Sequence, residues 1–526
     1  MGQKVWCLAV SRLSRLDGFD VKQPNILLIF CDQLRYDAIA AHGNPVIKTP
    51  VIDGLIESGV SFTNAYTPCP VCVPARFSMH TGLLPHRTGV FENTPIPEGR
   101  TSFMEVLKQG GYQTFGVGKM HFTFPSGGAA LWGFDNRANC EAPDRRANDF
   151  FRVIDERGYR HVYDIGGVKS EMYYIPQVSQ LPEDLHHSAW TADKSIELME
   201  RRDPNQPFFL MASFRKPHPP FAPPAPWNKL YRGPDMPEPK RPVDSENLLT
   251  LWNRFQNRYK YRDQGEDLNL IRQVKAHYYA EISFIDYSVG RILERMKANG
   301  TYDDTLIVFA SDHGELLGDY GSFGKRCFLD SAARVPLVMS GPGIVPGSRP
   351  AAPVSLVDIM PTFLDAAGLP QQEERSGESL LGLAHGLLDR DAIVGQYEEG
   401  PYASYMIRTR DYKYIYSVPD EREFLFDVVH DPEETRNRAA NPLFTKKTKE
   451  LRERLLRFFQ AEGYGDPIQD GQWKRYGRKM MPADPDAYLL FQDPPASIPH
   501  IPGYETDANS KQNFEFHWFE DKYEQV

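Results

Sequence analysis

Residues 25–33 read NILLIFCDQ, and residues 305–315 read TLIVFASDHGE. In each, a short β-prone apolar run breaks off into side chains that can hold a metal. The first ends in Cys31-Asp32-Gln33 and the second in Ser311-Asp312-His313-Gly314-Glu315. A brief, continuously apolar run fits a strand covered on both faces, as in a parallel sheet. Working outward, Asn25–Phe30, Thr114–Val117, Pro207–Ala212, Thr305–Ala310 and Val335–Met339 read as strands. Amphipathic helices alternate with them. FMEVLKQGGY (103–112) is closed by Gly110-Gly111, and AHYYAEISFIDYSVGRILERMKANG (276–300) sets Ile282, Ile285, Val289, Leu293 and Met296 on one face. Such alternation predicts an α/β fold with a largely parallel sheet flanked by helices. Ligands of such sheets gather beyond the carboxyl ends of the strands, where both polar clusters fall.

The chain has 526 residues, too many for one ordinary core. The spacing divides it into an N-terminal extension (1–22), an α/β catalytic unit (23–385) and a small α+β unit (386–462). In the small unit YMIRTRDYKYIY and REFLFDVVHDPEET read as antiparallel strands. A tail (463–526) rich in Pro, Tyr, Asp and Gln reads as extended, wrapping the body or a neighbouring subunit; a partly disordered terminus is the alternative. The net charge of −10 argues against a nucleic-acid partner. No apolar stretch approaches a membrane span. The opening MGQKVWCLAVSRLSRLDGF has too brief an apolar run for a signal peptide, and Trp6 breaks the myristoylation pattern, so a cytoplasmic protein is expected. Six cysteines are too sparse for a disulfide framework.

Residues 67–82, TPCPVCVPARFSMHTG, carry two of those cysteines as C-x-x-C. A structural zinc site needs a second pair of ligands, and no second C-x-x-C exists. A redox pair near a βαβ unit stays open. The cysteine–arginine spacings, Cys69 to Arg76 and Cys72 to Arg76, fit no cysteine-phosphatase loop. What remains is Cys72-Val73-Pro74-Ala75-Arg76 followed by Thr81-Gly82. Pro74 suits the first turn of a helix, which places Cys72 at a helix N-terminus, where an anion is favoured.

With this motif the chain resembles the sulfatase family of the alkaline phosphatase superfamily, over about residues 24–439. The branch is that near choline sulfatases and phosphonate monoester hydrolases. The resemblance implies an alkaline-phosphatase-like fold with a smaller C-terminal antiparallel-sheet domain. It also implies that a formylglycine-generating enzyme oxidises Cys72 to formylglycine (3-oxoalanine), with Arg76 holding an oxygen of the modified residue. Asp32, Gln33, Asp312, His313 and an oxygen of modified Cys72 would bind one divalent metal: calcium, manganese or magnesium. Lys119 and His121, in GVGKMHF, match the family's G-K-x-H pair. His218, in FRKPHPPFAPP, matches a histidine that meets the sulfate or the leaving oxygen; a polyproline-type ligand stretch is the plainer reading of that segment. Lys325, in GSFGKRCFLD, falls where the family keeps a second substrate lysine. Asn93 is a further substrate-contact candidate. His80, His86, His186, His187 and Cys69 read as structural, and LFDVVHDPEETRN (425–437) resembles the closing signature of the small domain.

Many family members have Asp-Asp where this chain has Asp32-Gln33, and Asp-Asn where it has Asp312-His313. That exchange shifts metal preference from calcium toward manganese. The same pairs resemble those of phosphonate monoester hydrolases and choline sulfatases. Lys119 and His121 point back to sulfate, because the phosphonate hydrolases lack both. Met120 stands where many relatives have Trp. The resemblance therefore implies hydrolysis of sulfate monoesters, with phosphonate monoesters or phosphodiesters as the alternative substrates. In the implied reaction a metal-acidified hydroxyl of hydrated formylglycine attacks sulfur, His218 or a lysine protonates the leaving oxygen, and His121 removes a proton as sulfate is expelled. A non-enzymatic binding or assembly module is the third reading. A homo-oligomer built through the tail is the expected assembly, and the loops Asp135–Gln180 and Asp235–Leu268 are where substrate choice is expected to lie.

Overall fold

A computed structural model describes residues 23–122, 131–141, 148–162, 164–169, 173–261, 267–481 and 503. The N-terminal extension, most of the tail beyond 481 and parts of both specificity loops lie outside these residues.

The central strand, β1 (Asn25–Cys31), shows why a continuous apolar run makes a two-faced core. Leu27, Ile29 and Cys31 enter one hydrophobic cluster, while Ile26, Leu28 and Phe30 enter another on the opposite face. Six more strands join it: β2 (Val60–Ser61), β3 (Gln113–Gly118), β4 (Asn136–Asn139), β5 (Phe208–Phe214), β6 (Thr305–Ser311) and β7 (Leu337–Ser340). Among the described residues they form one sheet in the order β2-β7-β6-β1-β5-β3-β4. β6, β1, β5, β3 and β4 run parallel; β7 pairs antiparallel with both β6 and β2. The run expected at Val335–Met339 begins as a strand only at Leu337. Pro336, just before it, has no N–H to give to a ladder.

One face is covered by helices α3 (His187–Glu200) and α4 (Leu268–Ala298). The other packs against α1 (Cys72–Thr81), α2 (Phe103–Gln109) and α5 (Ile359–Ala366). The sequence signals for α2 hold in detail. Ser102 and Glu105 form a reciprocal capping box, and Gly110 is the C-cap. Among the described residues no helix is long and apolar enough to cross a membrane.

A four-stranded antiparallel meander follows: β8 (Ala392–Tyr397), β9 (Ser404–Thr409), β10 (Tyr412–Ser417) and β11 (Arg422–Asp427). One face, with Ile393, Tyr397, Met406 and Phe424, meets Cys69, Val71, Cys327 and Phe328 of the larger unit. The other carries α6 (Thr445–Ala461) through Leu451, Leu455 and Phe459. The described start of the tail joins this outer layer as a hairpin, Ile468–Gln469 with Gln472–Trp473. The Trp473 indole is stacked 4.7 Å from Tyr416 and 5.3 Å from Tyr405, and its N–H donates to the Tyr414 hydroxyl at 2.9 Å. Trp473→Ala is expected to destabilise the protein by about 3–5 kcal/mol. Denaturant unfolding followed by circular dichroism would measure it, and a loss near zero would mean the tail does not pack there.

Candidate active site

Register brings the two polar strand ends together. Cys31 pairs with Ser311 on one side and with Phe214 on the other. Asp32, Asp312 and the 215–218 segment therefore leave the same sheet edge side by side. Lys119 joins them from β3, whose Gly118 is in register with Ser213. Here glycine is required: a Cβ at Gly118 would lie 1.9 Å from the Ser213 carbonyl oxygen. That close approach lets the Lys119 N–H donate to the same carbonyl at 3.0 Å.

The helix α1 faces this edge with Cys72 as its first residue. Val71, the N-cap, offers no side-chain acceptor. Instead the amide oxygen of Asn93 takes the Val73 N–H at 3.0 Å. Asn93, expected to contact substrate, thus has its oxygen committed to holding the start of α1. Cys69 is buried, with its sulfur 3.7 Å from the Phe91 carbonyl, and it is not disulfide-bonded to Cys72.

Arg76, one turn into α1 and fully buried, links the cluster. Its Nε donates to Asp312 Oδ2 at 2.9 Å and Nη2 to Asp32 Oδ2 at 3.2 Å. Nη1 donates to the Lys119 carbonyl at 2.8 Å and to Ser213 Oγ at 3.0 Å. Lys119 Nζ adds an ion pair to Asp32 Oδ2 at 2.5 Å. Burial by itself would raise the Asp32 pKa, but Lys119, His218, Arg76 and Lys325 together hold it well below the usual carboxylate range. Asp312 is instead raised, by burial and by the facing Asp32 charge.

Asp32, Cys72, Asp312 and His313 each offer a buried ligand atom, all within 4.8 Å of one another. The Lys325 ammonium sits among the same groups: 2.8 Å from Cys72 Sγ, 2.9 Å from His313 Nε2 and 3.1 Å from Gln33 Oε1. Two close carboxylates, an imidazole and an amide oxygen that already gather a cation fit a hard-to-borderline divalent metal. His313 Nδ1 lies 2.9 Å from the Gly314 carbonyl, which leaves Nε2 facing the cluster. Burial, helped by Lys325, lowers its pKa to about 4, so the imidazole is neutral, the form that ligates metal.

Sequence reasoning listed Glu315 only as part of SDHGE and gave it no role. Its carboxylate receives the Gln33 Nε2 amide, the Tyr174 hydroxyl at 3.0 Å and the Leu317 N–H at 3.0 Å. Holding Nε2 turns Gln33 Oε1 toward Lys325 and the cluster. Gln33 reaches that position from a left-handed backbone, φ 72°, a conformation costly for a residue with a Cβ. Gln256 was also missed; it accepts the Lys325 N–H at 3.1 Å and donates to the Lys325 carbonyl. Gln256 stands in no local motif, and Glu315, although part of SDHGE, acts like Gln256 on a partner far along the chain.

His218 and His121 line the partly open side. His218 Nδ1 lies 2.7 Å from the Pro219 carbonyl, so it carries the proton and Nε2 is the free nitrogen. His121 has φ 59° and a buried Nδ1 with no partner among the described residues. Burial and the Lys119 charge press both imidazoles well below their ordinary pKa. The four histidines read as structural stand apart from the cluster. His80 is enclosed by Phe103, Phe122 and Trp132; His86 pairs with Glu462 at 3.3 Å; His186 and His187 are buried against each other. The antiparallel meander reaches this edge through Tyr397, whose hydroxyl donates to Glu92 Oε2 at 2.9 Å; Arg326 Nε donates to the same oxygen at 2.9 Å, and Glu92 and Arg326 are the chain neighbours of Asn93 and Lys325.

Buried cations and four candidate metal-ligating groups meet at a helix N-terminus bearing a cysteine, an arrangement suited to holding and cleaving anionic esters. A model of the sulfatase family matches residues 24–369, and the chain belongs to that family. It is a sulfatase, a hydrolase of sulfuric esters. A second model, described as N-sulphoglucosamine sulphohydrolase, C-terminal, matches residues 318–461. An arylsulfatase of Clostridium perfringens is 30% identical over 84% of this chain and 96% of its own length. A choline-sulfatase of Rhizobium meliloti is 31% identical over 80% of this chain and 83% of its own. The crystal structure of the phosphonate monoester hydrolase of Agrobacterium radiobacter superposes with TM-score 0.74 at 26% identity, covering 84% of this chain and 96% of that one.

Proposed function

We propose that the site cleaves sulfate monoesters, aryl or alkyl, using formylglycine at position 72 and a divalent metal held by Asp32, Gln33, Asp312 and His313. The observation that carries this is the convergence of Cys72, His313 and Gln33 on one cationic position beside two buried carboxylates. The hydrated formylglycine and the cation would together supply an acidic hydroxyl as nucleophile. Arg76, already bonded to both carboxylates, fixes them and the start of α1 relative to each other. Lys119 and Lys325 offset charge on the transferring sulfuryl group, the largest catalytic contribution in sites of this kind. With Nδ1 committed to the Pro219 carbonyl, His218 presents Nε2 to the leaving oxygen and delivers a proton from that atom. An anionic ester beside Nε2 favours the doubly protonated ring that burial and Lys119 otherwise disfavour, so the proton delivered is one that Nε2 takes from solvent as the substrate binds. His121, with its unpartnered Nδ1, takes a proton as sulfate is expelled.

Gln33 in place of a carboxylate and His313 in place of an amide favour manganese over calcium. Activity is expected to fall with a chelator and to return more fully with Mn2+ than with Ca2+, with metal analysis giving one ion per chain. Maturation requires a formylglycine-generating enzyme, so co-expression with one should raise the active fraction.

The likeness to a phosphonate monoester hydrolase, together with the shared Asp-Gln and Asp-His pairs, favours a second reading in which the same site acts mainly on phosphonate monoesters or phosphodiesters. Lys119 and His121 favour sulfate. Catalytic efficiency on paired aryl sulfate and aryl phosphonate esters with the same leaving group separates the two. The sulfate is expected to be the better substrate; the reverse order would establish the second reading.

A further inference from the structure

Behind His218 lies a buried ion pair with no part in the chemistry above. Lys216, two residues before His218, is fully buried, and its Nζ meets Glu281 Oε1 at 2.7 Å. Everything else this ammonium touches belongs to the His218 loop or its neighbour. It donates to the His218 carbonyl at 3.3 Å, to the Gly166 carbonyl at 3.1 Å and to the Pro220 carbonyl. Glu281 Oε1 also accepts the Ala222 N–H at 2.7 Å, at the far end of the same loop. The segment KPHPPFA (216–222) is thus closed at both ends on one carboxylate, with His218 between them.

That carboxylate stands on a helix tied to the metal-facing strand end. Tyr278, three residues before Glu281 on α4 and so on the same face, donates its hydroxyl to the Gln33 carbonyl at 2.8 Å. The Arg35 N–H donates back to the Tyr278 hydroxyl at 3.0 Å. One face of α4 therefore fixes the Gln33 turn and the His218 loop at a constant separation. A buried ion pair is a costly way to fill a core, and apolar side chains of similar volume commonly serve stability as well. Glu281 Oε2 has no hydrogen-bond partner among the described residues, so the pair is incompletely compensated as well as buried.

We propose that Lys216 and Glu281 are positioning residues for His218: the helix carboxylate holds the lysine, and the lysine clamps the His218 and Pro220 carbonyls so that the imidazole faces the leaving oxygen. This deepens the sulfatase reading above and rests on His218 being the leaving-group donor.

The test is the dependence of kcat/KM on leaving-group acidity, read with the metal-loaded enzyme on a series of aryl sulfates. Glu281→Gln keeps an acceptor for Ala222 and Lys216 but deletes the charge. It is expected to change kcat/KM by less than about threefold for the most acidic phenols, and to lower it about 30- to 100-fold for the least acidic. His218→Ala should steepen the same plot further. Lys216→Met should follow Glu281→Gln, and combining the two should cost little more than Lys216→Met alone. If a single variant does not fold, the charge-free pair Lys216→Met with Glu281→Leu carries the same measurement. An equal loss across the whole series, together with a lowered melting temperature, would mean a merely structural pair and overturn the proposal. If His218→Ala steepens the plot and Glu281→Gln does not, the clamp alone is wrong. If His218→Ala leaves the slope unchanged, His218 is not the donor, and the clamp falls with that assignment.

Discussion

Cys72→Ala is expected to abolish sulfate-ester hydrolysis, lowering kcat on the order of 10⁴-fold or more, as removal of a nucleophile does elsewhere. The fold should tolerate the change. Cys72 is small and buried at the first position of α1, and the helix start is held by Asn93 rather than by the thiol. Thermal unfolding near that of the parent, with activity at background, is the expected pair of results. Substantial residual turnover would remove Cys72 from the chemistry and reopen the site to a mechanism built on the metal alone.

Arg76→Met is expected to damage both stability and activity. The guanidinium is the shared partner of Asp32 and Asp312, two fully buried carboxylates, and of the Lys119 carbonyl and Ser213. Methionine fills much of the volume but leaves Asp312 without its ion-pair partner in a dry environment. Removing one member of a buried pair costs about 3–5 kcal/mol, far more than a surface pair would. Urea unfolding of the metal-free protein reads that loss directly. Since Asp32 keeps Lys119 while Asp312 depends more heavily on Arg76, added metal should restore part of the stability by binding the folded state. A loss under 1 kcal/mol would mean that the carboxylates are compensated by other groups.

The strand ends were legible because they are local. An apolar run stopping at Asp32 or at Asp312-His313 states both the strand and its terminus, and parallel register then brings the two together. The Cys72 motif was legible for the same reason: Pro74 in the first turn and Gly82 at the C-cap mark one helix, and Arg76 follows Cys72 by one turn on it. Asn93 was placed near the site, but its commitment to Val73 depends on how a loop returns to a helix start, which spacing does not encode. Glu315, Gln256 and Glu281 were not legible as site residues. An acid or amide in a loop or on an amphipathic helix reads the same whether it meets water or a buried partner, and that partner (Gln33 for Glu315, the Lys325 backbone for Gln256, Lys216 for Glu281) is fixed only by tertiary packing. The antiparallel course of β7 was hidden likewise, since a short apolar run carries no direction.

The account stands on what residue 72 is in the active enzyme. Mass analysis of the proteolytic peptide spanning Cys72, from protein with measured sulfatase activity, tests this most directly. The predicted result is loss of the thiol sulfur and gain of an aldehyde or its hydrate at position 72, with Cys69 in the same peptide still a thiol. An unmodified Cys72 thiol in fully active enzyme would contradict it.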